Sequence, residues 1–225
     1  AFDLDAWVRL QADAPDAAPR IWQRPARGER SLATLLLADL SLSTDAHVPG
    51  EDRRVIDVIR DALFVFGEAL AASGDAFEML GFSSVRRQHV RIQHLKGFDE
   101  PWSAPAQARV GAVKPGFYTR MGAALRHATQ ALQARPERQR LLLLLTDGKP
   151  NDLDVYEGRY GLEDTRHAVQ AARAVGLVPF AVTIDERGGD WLPHLFGRGG
   201  FACVRRPRDL AARLPQIVAA LTSLR

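Results

Sequence analysis

Cysteine is almost absent from this sequence: Cys203 is the only one in 225 residues. No disulfide can close within the chain and no cysteine-based zinc site can form, a usage that fits a reducing, cytoplasmic compartment. Long apolar runs are missing as well. Stretches such as Leu141 to Leu145 fall far short of the roughly 20 residues that cross a bilayer, so membrane insertion is not expected. The opening "AFDLDAW" has no initiator Met, no basic stretch and no apolar stretch. It does not read as a signal peptide, and the chain is expected to be the C-terminal part of a longer protein. Glycine-rich phosphate loops, dinucleotide fingerprints and a G-x-S-x-G elbow are also missing. That leaves no basis for nucleotide hydrolysis, hydride transfer or acyl transfer by this chain.

What is present is an ordinary globular composition, 46% hydrophobic and 25% charged, in a chain long enough to bury roughly 70–75% of its unfolded surface. The net charge is +3 and the pI about 9.4. Basic residues cluster at Arg86–Arg87, Arg135–Arg140 and Arg205–Arg208. None of these clusters is interleaved with aromatics, so nucleic acid is not the expected partner. An acidic protein surface is the better complement to this charge.

Residues 1–30 contain the Pro/Ala/Arg-rich stretch "APDAAPRIWQRPARGER" and read as a lead-in that packs on the domain. From Ser31 to Arg225 strand and helix patterns alternate. "LATLLLADL", "RLLLLLTDG" and "LVPFAVTID" are nearly unbroken apolar strands, as in a parallel sheet covered on both faces. "AFEMLGFSS" adds another strand. "HVRIQHL" alternates and fits an edge, with His89 and His94 on opposite faces. "FACVRR" reads as a last strand with Cys203 as a small core residue. Helical spacing runs from Arg53 to Ser73, from Thr119 to Leu132 with Met121, Leu125, Ala128 and Leu132 on one face, and from Asp164 to Ala174. A closing helix passes through Leu214, Ile217, Val218 and Leu221, with Pro215 expected in its first turn. Residues 97–116 hold three prolines and read as irregular, with Trp102 either anchoring that loop or serving an interface. The pattern predicts an α/β domain over residues 31–225: a doubly wound, mostly parallel sheet with one antiparallel edge strand and helices on both faces.

In such sheets ligands gather at the carboxyl ends of the strands. There this sequence delivers Asp39, Ser41 and Ser43 in "ADLSLST" and Asp147 in "LLLTDGKP", and Thr119 lies at a helix start in "KPGFYTRMGAAL". Two carboxylates and three hydroxyls are hard oxygen donors, matched to Mg²⁺ and poorly suited to softer transition metals. D-x-S-x-S alone is weak, since composition produces it in roughly one chain of this size in ten to twenty. Each piece also has an ordinary structural explanation: Ser43, Thr44 or Thr119 as helix caps, and Asp147-Gly148 as a turn.

Around these donors lie Lys114, Arg120 and Lys149, which would attract an acidic partner loop if solvent-facing. Asp152, Asp154 and Glu157 resemble a fragment of a calcium loop. The central glycine and terminal bidentate glutamate are missing, so a polar, partner-facing loop is the expected role of Asp152 and Asp154.

D-x-S-x-S at 39–43, Thr119 and the "TDG" Asp147 resemble the metal-ion-dependent adhesion site of von Willebrand factor A domains. The resemblance implies direct binding of Mg²⁺ by Ser41 and Ser43, with Mn²⁺ or Ca²⁺ as substitutes. It implies direct or water-mediated binding by Thr119, and largely water-mediated binding by Asp39 and Asp147. One coordination position would stay open for a partner's acidic side chain. "LLLADLSLSTD", "GFSSVRR", "HLKGFDEPW", "TRMGAALRHA" and "LLLLLTDGKPNDLDVYEGRYGLEDTRHAV" extend the likeness over nearly the whole chain. They resemble the C-terminal domain of NorD, the nitric oxide reductase activation family, and of its relative CbbO, a Rubisco activase adaptor; "SLSTD" and "GFSSVRR" look closer to the first. The resemblance implies a non-catalytic, cytoplasmic adaptor that links a hexameric MoxR-type AAA+ ATPase to its client. For nitric oxide reductase that means aiding entry of non-haem iron into the catalytic subunit. An aspartate-nucleophile phosphohydrolase is the competing reading. That chemistry normally places a second carboxylate two residues after the nucleophile, and Ser41 stands there.

Overall fold

The computed structural model of the protein describes residues 31–185 and 188–223; the expected lead-in, residues 1–30, lies outside them. Strand β1, Leu32–Asp39, is buried along its whole length, which is why its sequence is almost free of polar residues. It pairs in parallel with β2 (Ala76–Val85) on one side and β4 (Gln139–Thr146) on the other, so that Leu37 lies between Leu80 and Leu144. Beyond β4 come β5 (Val178–Thr183) and β6 (Phe201–Cys203), both parallel; β3 (His89–Lys96) closes the opposite edge antiparallel to β2. The strand order is β3-β2-β1-β4-β5-β6, the doubly wound sheet with one antiparallel edge that the sequence predicts.

Side chains of β1 alternate between two cores. Leu36 and Ala38 join helices α1 (Val55–Ser73) and α6 (Leu210–Ser223). Leu35 and Leu37 face α3 (Met121–Gln133), α4 (Gly158–Ala174) and α5 (Gly188–Phe196). Each fully buried leucine contributes about 1.5–3 kcal/mol relative to exposure, so the central strands anchor both layers. Helix α1 starts where Asp57 accepts the Arg54 N–H and stops at Gly74, whose φ of 74° is the left-handed conformation that ends helices. No helix among the described residues is long and apolar enough to cross a membrane.

Several local expectations are corrected. The stretch 97–116 is not wholly irregular: Ala104–Gly111 form a short helix, α2, with Pro105 in its first turn, where a missing N–H costs nothing. Trp102 anchors the loop before it by donating to Glu68 and packing against Phe64 and Phe77. Helix α4 begins at Gly158 rather than Asp164, because its first turns bury Gly161 instead of a large apolar residue and so give no hydrophobic period. Pro215 lies inside α6 rather than in its first turn, since the helix already starts at Leu210. Cys203 is exposed, not a core residue: β6 is an edge strand whose last residue is left uncovered.

From β1 the chain moves outward through β2 to β3, then returns to the other side of β1 and continues from β4 to β6. The order reverses between β1 and β4. The loops leaving these two strands diverge and open a crevice at their carboxyl ends, the place where doubly wound sheets bind ligands.

Candidate metal centre

Asp39 is the last residue of β1, so its carboxyl group enters the crevice from the sheet itself. The chain then turns. The Ser41 N–H donates to Asp39 Oδ1 at 2.9 Å, and Thr44 Oγ1 donates to the Ser41 carbonyl at 2.7 Å, holding a short 3₁₀ turn over Leu42–Asp45. That turn aligns Ser41 Oγ and Ser43 Oγ 3.0 Å apart, and Ser43 Oγ donates to Asp147 Oδ1 at 2.9 Å just past β4. Thr119 arrives from the opposite side. Its backbone pairs with Asn151, and its Oγ1 lies 3.3 Å from both Asp39 oxygens. All five donors proposed from the sequence meet in one cluster.

The helix-capping explanations for Ser43 and Thr119 do not hold, while Asp147 and Gly148 do lie in a bend after β4. Ser43 turns to Asp147 rather than capping a helix; Thr44 serves its own 3₁₀ turn. Arg120, not Thr119, occupies the N-cap position of α3. Thr146 was missed by sequence reasoning. Its Oγ1 donates to Asp39 Oδ2 at 2.9 Å and accepts the Gly148 N–H at 3.3 Å. The only signal in the sequence was its place before Asp147 in "TDG".

Electrostatics make the cluster costly as it stands. Burial, and then the Asp147 charge, push Asp39 up to about 7. Burial raises Asp147 as well, with a further push from Asp185. Two carboxyl groups whose charges oppose one another in a desolvated crevice favour a cation between them. The donor set is entirely oxygen, and among the described residues no group of three His, Cys, Asp or Glu side chains gathers as metal ligands. Mostly hydroxyl donors with two carboxylates suit a hard divalent ion that retains water, so the residues fit Mg²⁺.

The surrounding charged residues divide. Lys114 and Lys149 are exposed, as a partner-facing role requires. Arg120, Asp152 and Asp154 are not free to face a partner as expected. Arg120 is 7% and Asp152 3% exposed, and Arg120 forms ion pairs with both aspartates. A buried guanidinium and a buried carboxylate each need a counter-charge, and here they satisfy one another. Asp152 also accepts from Ser84 Oγ at 2.8 Å and from the Arg86 N–H at 2.8 Å. Beneath them Tyr156 is fully buried with the Arg120 guanidinium 4.1 Å from its ring centroid. Nothing in the polar string "NDLDVYEG" marked this tyrosine as core.

A switch-point crevice ringed by Asp39, Ser41, Ser43, Thr119 and Asp147 defines a class of domains. The von Willebrand factor type A family model matches residues 52–215, and the chain belongs to that family. The matched span begins after β1, so Asp39, Ser41 and Ser43 rest on their own pattern and on the geometry above. The chain is 57% identical over 96% of its length to an uncharacterized protein of Pseudomonas aeruginosa. It is 51% identical over 93% of its length to Protein NorD of Stutzerimonas stutzeri, and 49% identical over 96% to Protein NorD of Brucella suis. It spans 34–36% of the length of these relatives. Among solved structures, the von Willebrand factor domain of the pilus tip protein Mfa5 from Porphyromonas gingivalis superposes with a TM-score of 0.64 at 9% identity, covering 85% of this chain and 96% of that one. A von Willebrand factor type A protein from Catenulispora acidiphila gives 0.62 at 19% identity, covering 83% and 42%. These likenesses bear on the fold alone.

Proposed function

We propose that this domain is the Mg²⁺-dependent, non-catalytic protein-binding module of a cytoplasmic adaptor. The adaptor couples a hexameric MoxR-type AAA+ ATPase to its client, nitric oxide reductase awaiting its non-haem iron. The observation that carries this reading is the convergence of the buried Asp39 carboxyl group, the half-buried Asp147 carboxyl group whose charge works against it, and three hydroxyls at the switch point. Ser41, Ser43 and Thr119 would hold the ion, and Asp39 and Asp147 would balance its charge, largely through water. A bound Mg²⁺ supplies an electrophilic coordination position for a carboxylate from a partner. The chain's own residues orient that position: Thr146 fixes Asp39, and the 3₁₀ turn fixes the two serines. The relatives named NorD support the choice of client over Rubisco.

The phosphohydrolase alternative meets an obstacle in the geometry. Asp39 is 0% exposed, and a nucleophile must reach the phosphorus it attacks.

The test is a Mn²⁺ titration of the wild-type chain and a Ser41→Ala variant. One ion bound by the wild type and none by the variant is the expected result; no uptake by the wild type at saturating metal overturns it. For the client, the longer protein carrying Ser41→Ala is expected to leave nitric oxide reductase without its non-haem iron. Full iron loading would redirect the search to another client.

A further inference from the structure

Beside the metal centre, an open cavity of about 440 Å³ lies between the turn joining β2 to β3 and the loop joining β4 to α4. Its walls include Arg86, Arg87, Arg120, Asp154, Val155 and Tyr160. The cavity and the metal centre share structure. Arg120 directly follows the donor Thr119, and Thr119 pairs with Asn151, the residue before Asp152. Ser84 Oγ accepts the Arg120 N–H at 3.1 Å and donates to Asp152.

The cavity is a built feature. Arg86 (φ 60°) and Val155 (φ 63°) are the only non-glycine residues with left-handed backbone among the described residues, and both line it. A β-branched residue in that region is strained and persists only where its surroundings impose it. The turn containing Val155 is closed by the Asp152 N–H, which donates to the Tyr156 carbonyl at 3.0 Å, and the groups that hold the turn at Arg86 are also visible. Asp152 Oδ1 accepts the N–H groups of Arg86 and Leu153 at 2.8 and 2.7 Å, and Asp154 Oδ2 accepts that of Arg87 at 3.0 Å. The two aspartates therefore spend their charge on Arg120 and on backbone N–H groups. Arg86 and Arg87 are exposed, and no carboxylate pairs with either guanidinium among the described residues. The strained turn holds two unneutralised guanidiniums over one cavity, with Val155 (79% exposed) and Tyr160 (60%) as an apolar rim.

We propose that this cavity is a second, metal-independent subsite that takes a carboxylate side chain from an acidic peptide segment of the partner whose neighbouring acid reaches the metal centre. The proposal deepens the adaptor reading and rests on it for the identity of the partner. Guanidiniums bind carboxylates with paired, charge-assisted hydrogen bonds, and the rim accommodates an aliphatic or aromatic neighbour of the acid. A nucleic-acid strand fits less well. Its continuous phosphates need a basic track, whereas the negative charges of Asp152 and Asp154 interrupt the positive charge here.

The experiment measures binding of a fluorescein-labelled hexaglutamate peptide to the wild-type chain and to an Arg86→Asn/Arg87→Gln variant, each in Mg²⁺ and in EDTA. Asparagine tolerates the left-handed backbone, and a thermal melt checks that the variant is folded before binding is compared. The expected result is a loss of about tenfold in affinity in both media, the scale of one charge-assisted hydrogen bond. Equal binding by wild type and variant overturns the proposal. Oligo-dT that outcompetes hexaglutamate with the same arginine dependence overturns the peptide assignment. The metal reading fails separately. An arginine effect that persists while the wild type takes up no Mn²⁺ supports the subsite and refutes the metal centre.

Discussion

Thr146 Oγ1 donates a hydrogen bond to Asp39 Oδ2 at 2.9 Å, joining two residues 107 positions apart. The bond ties the ends of β1 and β4 together where the site lies, and it holds a carboxyl group that no solvent reaches. Thr146→Val keeps the shape and removes the donor. The expected cost is about 1–3 kcal/mol, the penalty for a buried acceptor left short of a partner. Urea unfolding without metal measures it; an unchanged midpoint would show that Thr119 and the Ser41 N–H already suffice for Asp39.

Asp147→Asn is expected to change sign with metal. Without a cation, burial raises the Asp147 carboxyl and its charge works against Asp39, so removing it raises the melting temperature. With metal, a site of about 1 mM affinity gives the wild type about 1.4 kcal/mol at about 10 mM Mg²⁺, or a few degrees, and the variant gains none. Parallel melts in EDTA and Mg²⁺ decide it. A variant that melts below wild type in EDTA contradicts the repulsion argument.

Gly122 sits where α3 meets α4. A Cβ there would come within 2.0 Å of Asp164 Oδ2 and 3.0 Å of the Tyr156 hydroxyl, which accepts the Gly122 N–H at 3.1 Å and donates to Asp164 at 2.5 Å. Gly122→Ala therefore displaces the Asp164 carboxylate and disturbs its hydrogen bond with the Tyr156 hydroxyl beneath Arg120. A loss of about 1–3 kcal/mol is expected from the overpacking, despite alanine's better helix propensity. Chemical denaturation of the two proteins checks it.

Asp152 carries a pH dependence. Its burial alone would raise it, but hydrogen bonds from the Arg86 N–H, Ser84, the Leu153 N–H and Arg120 outweigh that and hold it below the usual aspartate value of 3.8. A depressed folded-state value stabilises above the unfolded value and loses that contribution as the pH falls through the folded one. The wild type should therefore exceed Asp152→Asn in stability at neutral pH, with the gap closing as the pH is lowered through and below the usual aspartate range. Melting curves of both proteins across this range test it, and a gap independent of pH would count against the ionised pair with Arg120.

Part of this was legible in the chain because it follows from local patterning. The runs "LATLLLAD" and "RLLLLLT" are apolar throughout since both faces of β1 and β4 are covered, and "HVRIQHL" alternates because β3 is an edge. Asp39, Ser41 and Ser43 were visible because their spacing is local. Elements whose buried face is made of small residues were harder to read: the first turns of α4 present Gly161 and Thr165 to the core, which leaves no hydrophobic period.

The sequence by itself determined the alternation of strands and helices, the buried strands and the oxygen-rich turns at their ends, since these depend on side-chain chemistry at short range. The tertiary structure decided which charges remain available. Arg120, Asp152 and Asp154 look like a solvated loop in one dimension, yet folding brings Ser84, Tyr156 and the turn at Arg86 against them and consumes their charge. Arg86 and Arg87, one of several basic clusters in the sequence, are left beside the site with no carboxylate partner among the described residues. The physical reason is that a charge buried on folding must find a partner wherever the topology offers one, and sequence separation places no limit on where that partner comes from.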